Sequence, residues 1–358
     1  MGDVLANGNR IASIDALRGV AALCVCVQHA VQPITAAPGS SARSPAVHTW
    51  LSAITLDRFD LGRYGVVLFF LISGYVVPFS LRGVHALPRF ALTRVLRLYP
   101  GFWLSVAAMT ATSAAVPTSA QLVANLTMAP TLFGQPPVSG VYWTLFVELA
   151  FYALCAALFA AGWLRRSAAV FALGLVCIAL PVAGVIARAL GVPVPLPYLG
   201  AHLSFLFVGA LLRIAQEEHA PRRYALALAT AALLALPLLA SQSDHSFTRS
   251  TPTGVFLAGV AALVSFVAFH RRAGAVPPAL LWLGAVSYGA YLFHIPVTRI
   301  VVRLIPPDHA ANAILFLAAT LAGTLVIAAA VHRWIERPAI RWGQRLTRRP
   351  RAAIAVAP

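Results

Sequence analysis

Long apolar stretches, separated by short polar segments, follow one another along almost the whole chain. A helix needs about twenty apolar residues to cross a bilayer. Stretches of this kind have the approximate limits 11–33, 62–81, 97–117, 141–162, 168–190, 198–215, 223–240, 253–270, 279–303 and 310–333. The pattern predicts an all-α, polytopic membrane bundle of about ten transmembrane helices over residues 11–340. Residues 1–10 and 341–358 are predicted to be tails, and the second is basic enough to rest on anionic lipid.

The polar segments differ in charge from one side of the predicted membrane to the other. An even number of spans places both termini on the same side, and the loops on that side carry most of the arginines. Loops rich in basic residues stay in the cytoplasm, so both termini are expected there. The net charge of +17 could indicate a nucleic-acid partner. Its placement in short loops between apolar spans argues against one.

The first predicted span contains two ionisable side chains, Arg18 and His29. Such groups are costly inside a membrane and indicate a functional site by default. Eleven helical positions correspond to about 16 Å of rise and roughly three turns, so the two side chains share one face at different depths. Arg18 could hold an anion near one surface while His29 transfers protons deeper in the bilayer. Alternatively, Arg18 extends to the membrane surface and His29 lies in a polar bundle interior.

Glu148 is the one carboxylate that lies well inside a predicted span. Its span begins at the outer surface near residue 141, which places Glu148 about 10 Å into the membrane by helical rise. His29 is near the outer end of its own span, so the two side chains could share a layer. A carboxylate beside an imidazole would orient it and stabilise its protonated form. A protonated glutamic acid bonded within the bundle is the alternative.

Other polar groups could line the same interior. Arg94 and Arg97, one turn apart, suit phosphate groups, although membrane anchoring explains them as well. Ser73 and Tyr75 flank a glycine that could serve either a ligand or helix packing. Tyr291 and His294 share one helix face, and a buried structural histidine is equally compatible with this pattern.

Glu336 is expected to pair with an arginine. The four cysteines lie in apolar spans without metal-ligand spacing, and no metal site is predicted.

In this order, the motifs resemble acyltransferase family 3, a family of integral membrane acyltransferases. The resemblance rests on Asp15-Ala-Leu-Arg18-Gly with ten residues between Arg18 and His29, then on FFLISGY, Arg94-x-x-Arg97 followed by Tyr99-Pro100, YWTLFVELAFY, SYGAYLFHIPV and IERP. It covers about residues 11–340, and the ordered set is more specific than any single piece.

The resemblance implies ten core helices and transfer of an acyl group, usually acetyl, from acyl-CoA to a carbohydrate, glycolipid or macrolide acceptor. Acyl-CoA would be a co-substrate, and no permanently bound cofactor is expected. His29 would be the catalytic histidine, and Arg18, Arg94 and Arg97 would serve the donor. The positions of the residues themselves predict that Glu148 assists His29. The candidates for substrate or oxyanion contacts are Asp15, Ser73, Tyr75, Trp143, Tyr291 and His294. A bacterial inner membrane is implied.

Two other classes of protein fit the same polar residues. A proton-coupled transporter or flippase could use Arg18, His29 and Glu148 as a relay, but no internal repeat of the kind common in transporters is apparent. A non-catalytic membrane partner in polysaccharide assembly is the third possibility. Consumption of CoA thioester separates the enzyme from both.

Overall fold

The computed structural model describes residues 2–36, 45–83, 85–192, 199–219, 221–241, 250–270 and 275–347. Throughout these ranges the regular secondary structure is helical. The α-helices are α1 (Gly2–Ala36), α2 (Pro45–Ser52), α3 (Leu61–Val76), α4 (Ala86–Ala111), α5 (Ser119–Asn125), α6 (Trp143–Ala160), α7 (Ser167–Ala189), α8 (Leu199–Glu217), α9 (Arg223–Ser241), α10 (Pro252–His270), α11 (Pro278–Leu304), α12 (Ala310–Val331) and α13 (Arg337–Thr347). Short π-helical or 3₁₀ segments occur at Ala53–Asp57, Pro78–Ser80, Pro130–Phe133 and His332–Glu336.

The predicted helical membrane bundle is confirmed. Among the described residues, 8 helices are long and apolar enough to cross a membrane. They correspond to eight of the ten predicted spans. The other two stretches overlap α4, which ends at Ala111, and α8, which begins at Leu199, but these helices are more polar. Arg89, Arg94 and Arg97 lie in the first half of α4, and Arg213, Gln216 and Glu217 end α8.

Both ends of the chain are more helical than the sequence suggested. Residues 2–10, expected to form a tail, continue α1 without a break. At the other end, residues 341–347 belong to α13, while 348–358 lie outside the described residues. The segment 118–140, between two predicted spans, contains the short helix α5 and the 3₁₀ turn Pro130–Phe133.

Two close helix contacts position the residues of interest. At Gly284, a Cβ atom would collide with the backbone carbonyl of Asp15, so α11 lies directly against α1. At Gly74, a Cβ atom would collide with the carbonyl of Leu206, so α3 lies directly against α8. Small residues allow this approach in membrane bundles. The walls that carry Arg18 and Ser73 are therefore fixed by backbone contact.

Candidate functional site

A space of about 1080 Å³, which includes open solvent, lies between α1, α4, α11 and residues 332–340, at the end of the bundle that holds Asp15. We call it the arginine cavity. Its lining residues are Ala12, Asp15, Arg18, Arg97, Leu281, Gly284, Ala285, Tyr288, His332, Glu336 and Ile340. Among the hydrogen bonds of the described residues, none uses the side chain of Arg18 or Arg97. Two guanidinium groups therefore face this space with donors available for an anion.

A second space, of about 530 Å³ including open solvent, lies deeper in the bundle. We call it the inner cavity. It is lined by Arg18, Val66, Phe69, Phe70, Ser73, Thr144, Leu145, Glu148, Tyr288 and Tyr291. Arg18 and Tyr288 line both cavities. The two spaces thus meet at Arg18, which has the arginine cavity on one side and the inner cavity on the other.

Glu148 accepts two hydrogen bonds at the same oxygen. The Oγ of Ser73 donates to Oε1 over 2.6 Å, and the hydroxyl of Tyr152 donates to Oε1 over 2.5 Å. Glu148 also acts electrostatically on Arg18. Within the described residues, no hydrogen bond or ion pair joins Glu148 to His29, in contrast to the pairing expected from their depths. The structure instead places Glu148 with Arg18 in the inner cavity.

His29 lies beside His294 of α11, with 5.1 Å between the ring centroids and an angle of 34° between the rings. Its Nδ1 is 3.3 Å from the side-chain oxygen of Gln32. In His294, Nδ1 is 2.7 Å from the backbone oxygen of Tyr291. Because a carbonyl oxygen can only accept, the proton of His294 resides on Nδ1. Its Nε2 is buried and has no hydrogen-bond partner among the described residues.

Tyr291 lies between this pair of histidines and the inner cavity. Its hydroxyl donates to the carbonyl oxygen of Val141 over 2.8 Å and lies 2.6 Å from Oγ1 of Thr144. Its ring centroid is 5.8 Å from that of His294. The phenol proton is used by these contacts, so Tyr291 in this conformation is a wall residue rather than a free donor for an oxyanion.

Arg94 and Arg97 do not share a cavity. Arg94 lines an almost wholly apolar groove of about 1050 Å³ between α4 and α6, together with Phe90, Tyr99 and Tyr152. Its guanidinium carbon is 5.5 Å from the ring centroid of Tyr152, and its Nη2 donates to Ser80 over 3.1 Å. The two arginines of this motif therefore face different spaces, although Tyr152 connects Arg94 indirectly to Glu148.

Two further candidates lie outside these cavities. Tyr75 is buried, donates to the side-chain oxygen of Gln216 over 2.5 Å and packs against Phe266. These contacts give it a packing role in the α3–α8 wall. The ring centroid of Trp143 is 4.6 Å from that of His202 and 5.6 Å from the guanidinium carbon of Arg63.

Trp143 packs against a buried charged cluster that the sequence interpretation missed. Asp60, Arg63 and His202 are 4%, 5% and 0% exposed. Oδ1 of Asp60 accepts from the backbone nitrogen of Arg63 over 2.7 Å, and Nη1 of Arg63 is 2.8 Å from Nε2 of His202. The predicted span 62–81 contains Arg63, but the sequence interpretation does not single it out. The helix-capping position of Asp60 just before this apolar run marks Arg63 as a charge inside a span, where it needs partners.

Glu336 also differs from the expectation. Its ion pair is with Nδ1 of His332 at 2.9 Å, one turn earlier in the same helical segment, rather than with an arginine. Both residues line the arginine cavity. As for metal sites, no group of three or more histidine, cysteine or acidic side chains in the described ranges could hold an ion.

Comparison with known proteins assigns the family. The model of an acyltransferase domain, that of acyltransferase family 3, matches residues 11–333. No curated protein and no solved structure matches the chain. The match includes every residue that lines the inner cavity, and every residue that lines the arginine cavity except Glu336 and Ile340. The chain is a multi-pass membrane protein that belongs to acyltransferase family 3.

Proposed function

We propose that the protein transfers an acyl group, with acetyl the expected one, from acyl-CoA to a hydroxyl of a carbohydrate, glycolipid or macrolide acceptor. Membership of the family supports acyl transfer in general. The donor, the acceptor and the catalytic roles below are proposals. The excess of arginine near the arginine cavity supports a cytoplasmic position for that end of the bundle and for both termini. The membrane in this proposal is a bacterial inner membrane.

The donor phosphates bind in the arginine cavity, against Arg18 and Arg97. Planar guanidinium groups suit phosphate oxygens by charge and by geometry. The pantetheine arm then passes Arg18 into the inner cavity, whose apolar walls Val66, Phe69 and Phe70 suit a chain with few charges. Arg94 lies on another face of α4 and acts on the donor site indirectly, through its contact with Tyr152.

His29 acts as the general base. Its Nδ1 faces the oxygen of Gln32, which leaves Nε2 to take the proton of the acceptor hydroxyl. The hydroxyl oxygen bonds to the thioester carbon, the carbon–sulfur bond breaks, and the CoA thiolate takes the proton from the imidazolium of His29. An acyl-histidine intermediate would be a two-step form of the same transfer.

Glu148 has a role at the donor end in this proposal. It balances the charge of Arg18 and is held by Ser73 and Tyr152, so it keeps the guanidinium at the boundary between the cavities. Asp15 provides a second counter-charge to Arg18. Gln32 contacts the ring of His29 directly, and in this proposal it takes the assisting role that was expected of Glu148.

The observation that carries this proposal is the position of Arg18 in the lining of both cavities. The test uses purified protein, labelled acetyl-CoA and candidate acceptors, with release of free thiol as the readout. His29→Ala should abolish transfer, since a general base contributes about 10²–10⁴-fold. His309→Ala is the control because His309 is an exposed histidine paired with Asp308. Normal transfer by His29→Ala would refute the assignment, and transport of a solute without thiol release would indicate a transporter.

A further inference from the structure

The imidazole of His294 has a polar atom that the structure leaves without a partner. The side chain is 0% exposed, and its single N–H is directed at the carbonyl oxygen of Tyr291. The lone pair of Nε2 is therefore buried, and none of the described residues donates to it. A buried acceptor without a hydrogen bond is costly, by about 1–3 kcal/mol, and indicates a missing ligand or water.

The proposed base, His29, lies beside His294. The rings of His29 and His294 are 5.1 Å apart between centroids, so a molecule bonded to Nε2 of His29 lies beside His294. Both rings use Nδ1 for a protein oxygen. Together they present two lone pairs and no N–H. A ligand that satisfies both must bring two donors close together.

We infer that His294 binds the hydroxyl adjacent to the one that reacts, so that the acceptor is a vicinal diol. This inference rests on the proposed function. His29 takes the proton of the reacting hydroxyl, and Nε2 of His294 accepts a hydrogen bond from its neighbour. A simple alcohol offers a single O–H and leaves Nε2 of His294 unpaired. A ketone or an ether offers none.

This role differs from that of an oxyanion donor. An oxyanion needs a donated hydrogen, and the ring of His294 has none left to give. His294 is thus a specificity-determining residue that contacts the acceptor, and it takes no part in cleaving the thioester bond.

The experiment measures the preference for a diol rather than the rate alone. Labelled acetyl-CoA is supplied with a panel of methyl hexopyranosides, each paired with a derivative in which one of two adjacent hydroxyls is methylated. The wild-type protein should favour the diol by roughly tenfold or more, the value of one hydrogen bond. A site built to bind a hydroxyl rejects the analogue that lacks its proton.

Two substitutions test the role of His294. His294→Leu removes the acceptor atom, and the preference for the diol over its methyl ether should fall to about onefold, which is no preference. His294→Gln supplies an amide oxygen of similar reach and should retain part of the preference for the diol. The ratio of products is independent of how much protein folds, so a structural defect alone would leave it unchanged.

The contrary outcomes are distinct. Equal use of the diol and its methyl ether by the wild type, or an unchanged preference in His294→Leu, would overturn the inference. The inference would also be overturned if the wild type hydrolyses acetyl-CoA but acylates no diol in the panel. In that case the use of acyl-CoA as donor, which is part of the proposed function, would still stand. Absence of any thiol release would refute the proposed function itself.

Discussion

Tyr152 and Glu148, one helical turn apart on α6, are joined by a 2.5 Å hydrogen bond from the phenol to Oε1. Glu148 lines the inner cavity, whereas Tyr152 lines the apolar groove next to Arg94. This hydrogen bond thus links a residue of the apolar groove to a residue of the inner cavity. It makes the position of the carboxylate depend on a residue outside the site.

Tyr152→Phe should therefore weaken acyl transfer without abolishing it. Ser73 still holds Oε1, but the loss of one hydrogen bond to a charged group costs about 1.5–3 kcal/mol, which corresponds to roughly a tenfold to hundredfold fall in kcat/KM. Tyr99→Phe is the matched control. Tyr99 lines the same groove, and its hydroxyl bonds the carbonyl of Thr127 instead. Equal losses in both variants would contradict the role given to Tyr152.

Arg18→Lys and Arg97→Lys should raise the KM for acyl-CoA. Lysine keeps the charge but loses the planar fork that binds phosphate oxygens in pairs, so we expect an increase of about tenfold for each. The measurement is initial rate against donor concentration. Arg303→Lys serves as the control because Arg303 is on α11 at the other end of the bundle and donates to the carbonyl of Thr112. A donor lacking the ribose phosphate should reduce the difference between variant and wild type.

Gly74→Ala should destabilise the protein. The added Cβ would meet the carbonyl of Leu206, and overpacking of this kind typically costs about 1–3 kcal/mol. The displacement of α3 would also move Ser73 away from Glu148. Thermal unfolding in detergent measures the first effect. Gly140→Ala is the control, since no atom lies within 4 Å of its added Cβ; a loss of stability there as large as in Gly74→Ala would contradict the steric argument.

Asp60→Asn should lower stability by several kcal/mol. Oδ2 of Asp60 lies 3.9 Å from Nε of Arg63 in a buried ion pair. The change removes the negative charge of this pair, and breaking one member of a buried ion pair typically costs about 3–5 kcal/mol. Asp308→Asn is the comparison. It breaks an exposed pair with His309, and such pairs contribute about 0–1 kcal/mol. Similar unfolding temperatures for the two variants would mean that the Asp60 pair is not a major source of stability.

Much of the fold was predictable because a membrane imposes length and hydrophobicity on each helix. The stretches around Arg18 and His29, Ser73, Glu148, and Tyr291 and His294 were all placed on the correct helices. The meeting of His29 and His294 was not predicted, and neither was the boundary role of Arg18. Periodicity gives the face and depth of a side chain, but it does not give the neighbouring helix.

Glu148 and Arg94 illustrate that limit. The depth estimate put Glu148 level with His29, but Glu148 lines the inner cavity with Arg18, which is eleven helical positions and about 16 Å of rise from His29 on α1. The estimate counted from the start of the predicted span, whereas the position of Glu148 depends on the helices that α6 packs against, chiefly α8 and α3. For Arg94 and Arg97, a spacing of three residues leaves an angle of about 60° around the helix. That angle is enough to place the two side chains on either side of a cavity wall.

The groove beside Arg94 has a practical consequence. It is apolar, it lies along a helix of a membrane bundle, and its inner wall is Tyr152, the hydrogen-bond partner of Glu148. Hydrocarbon tails or detergent chains that fill it would contact Tyr152, which hydrogen-bonds the carboxylate. We therefore expect turnover to depend on the solubilising agent, and rates measured in micelles and in bilayers should be compared before either is taken as intrinsic.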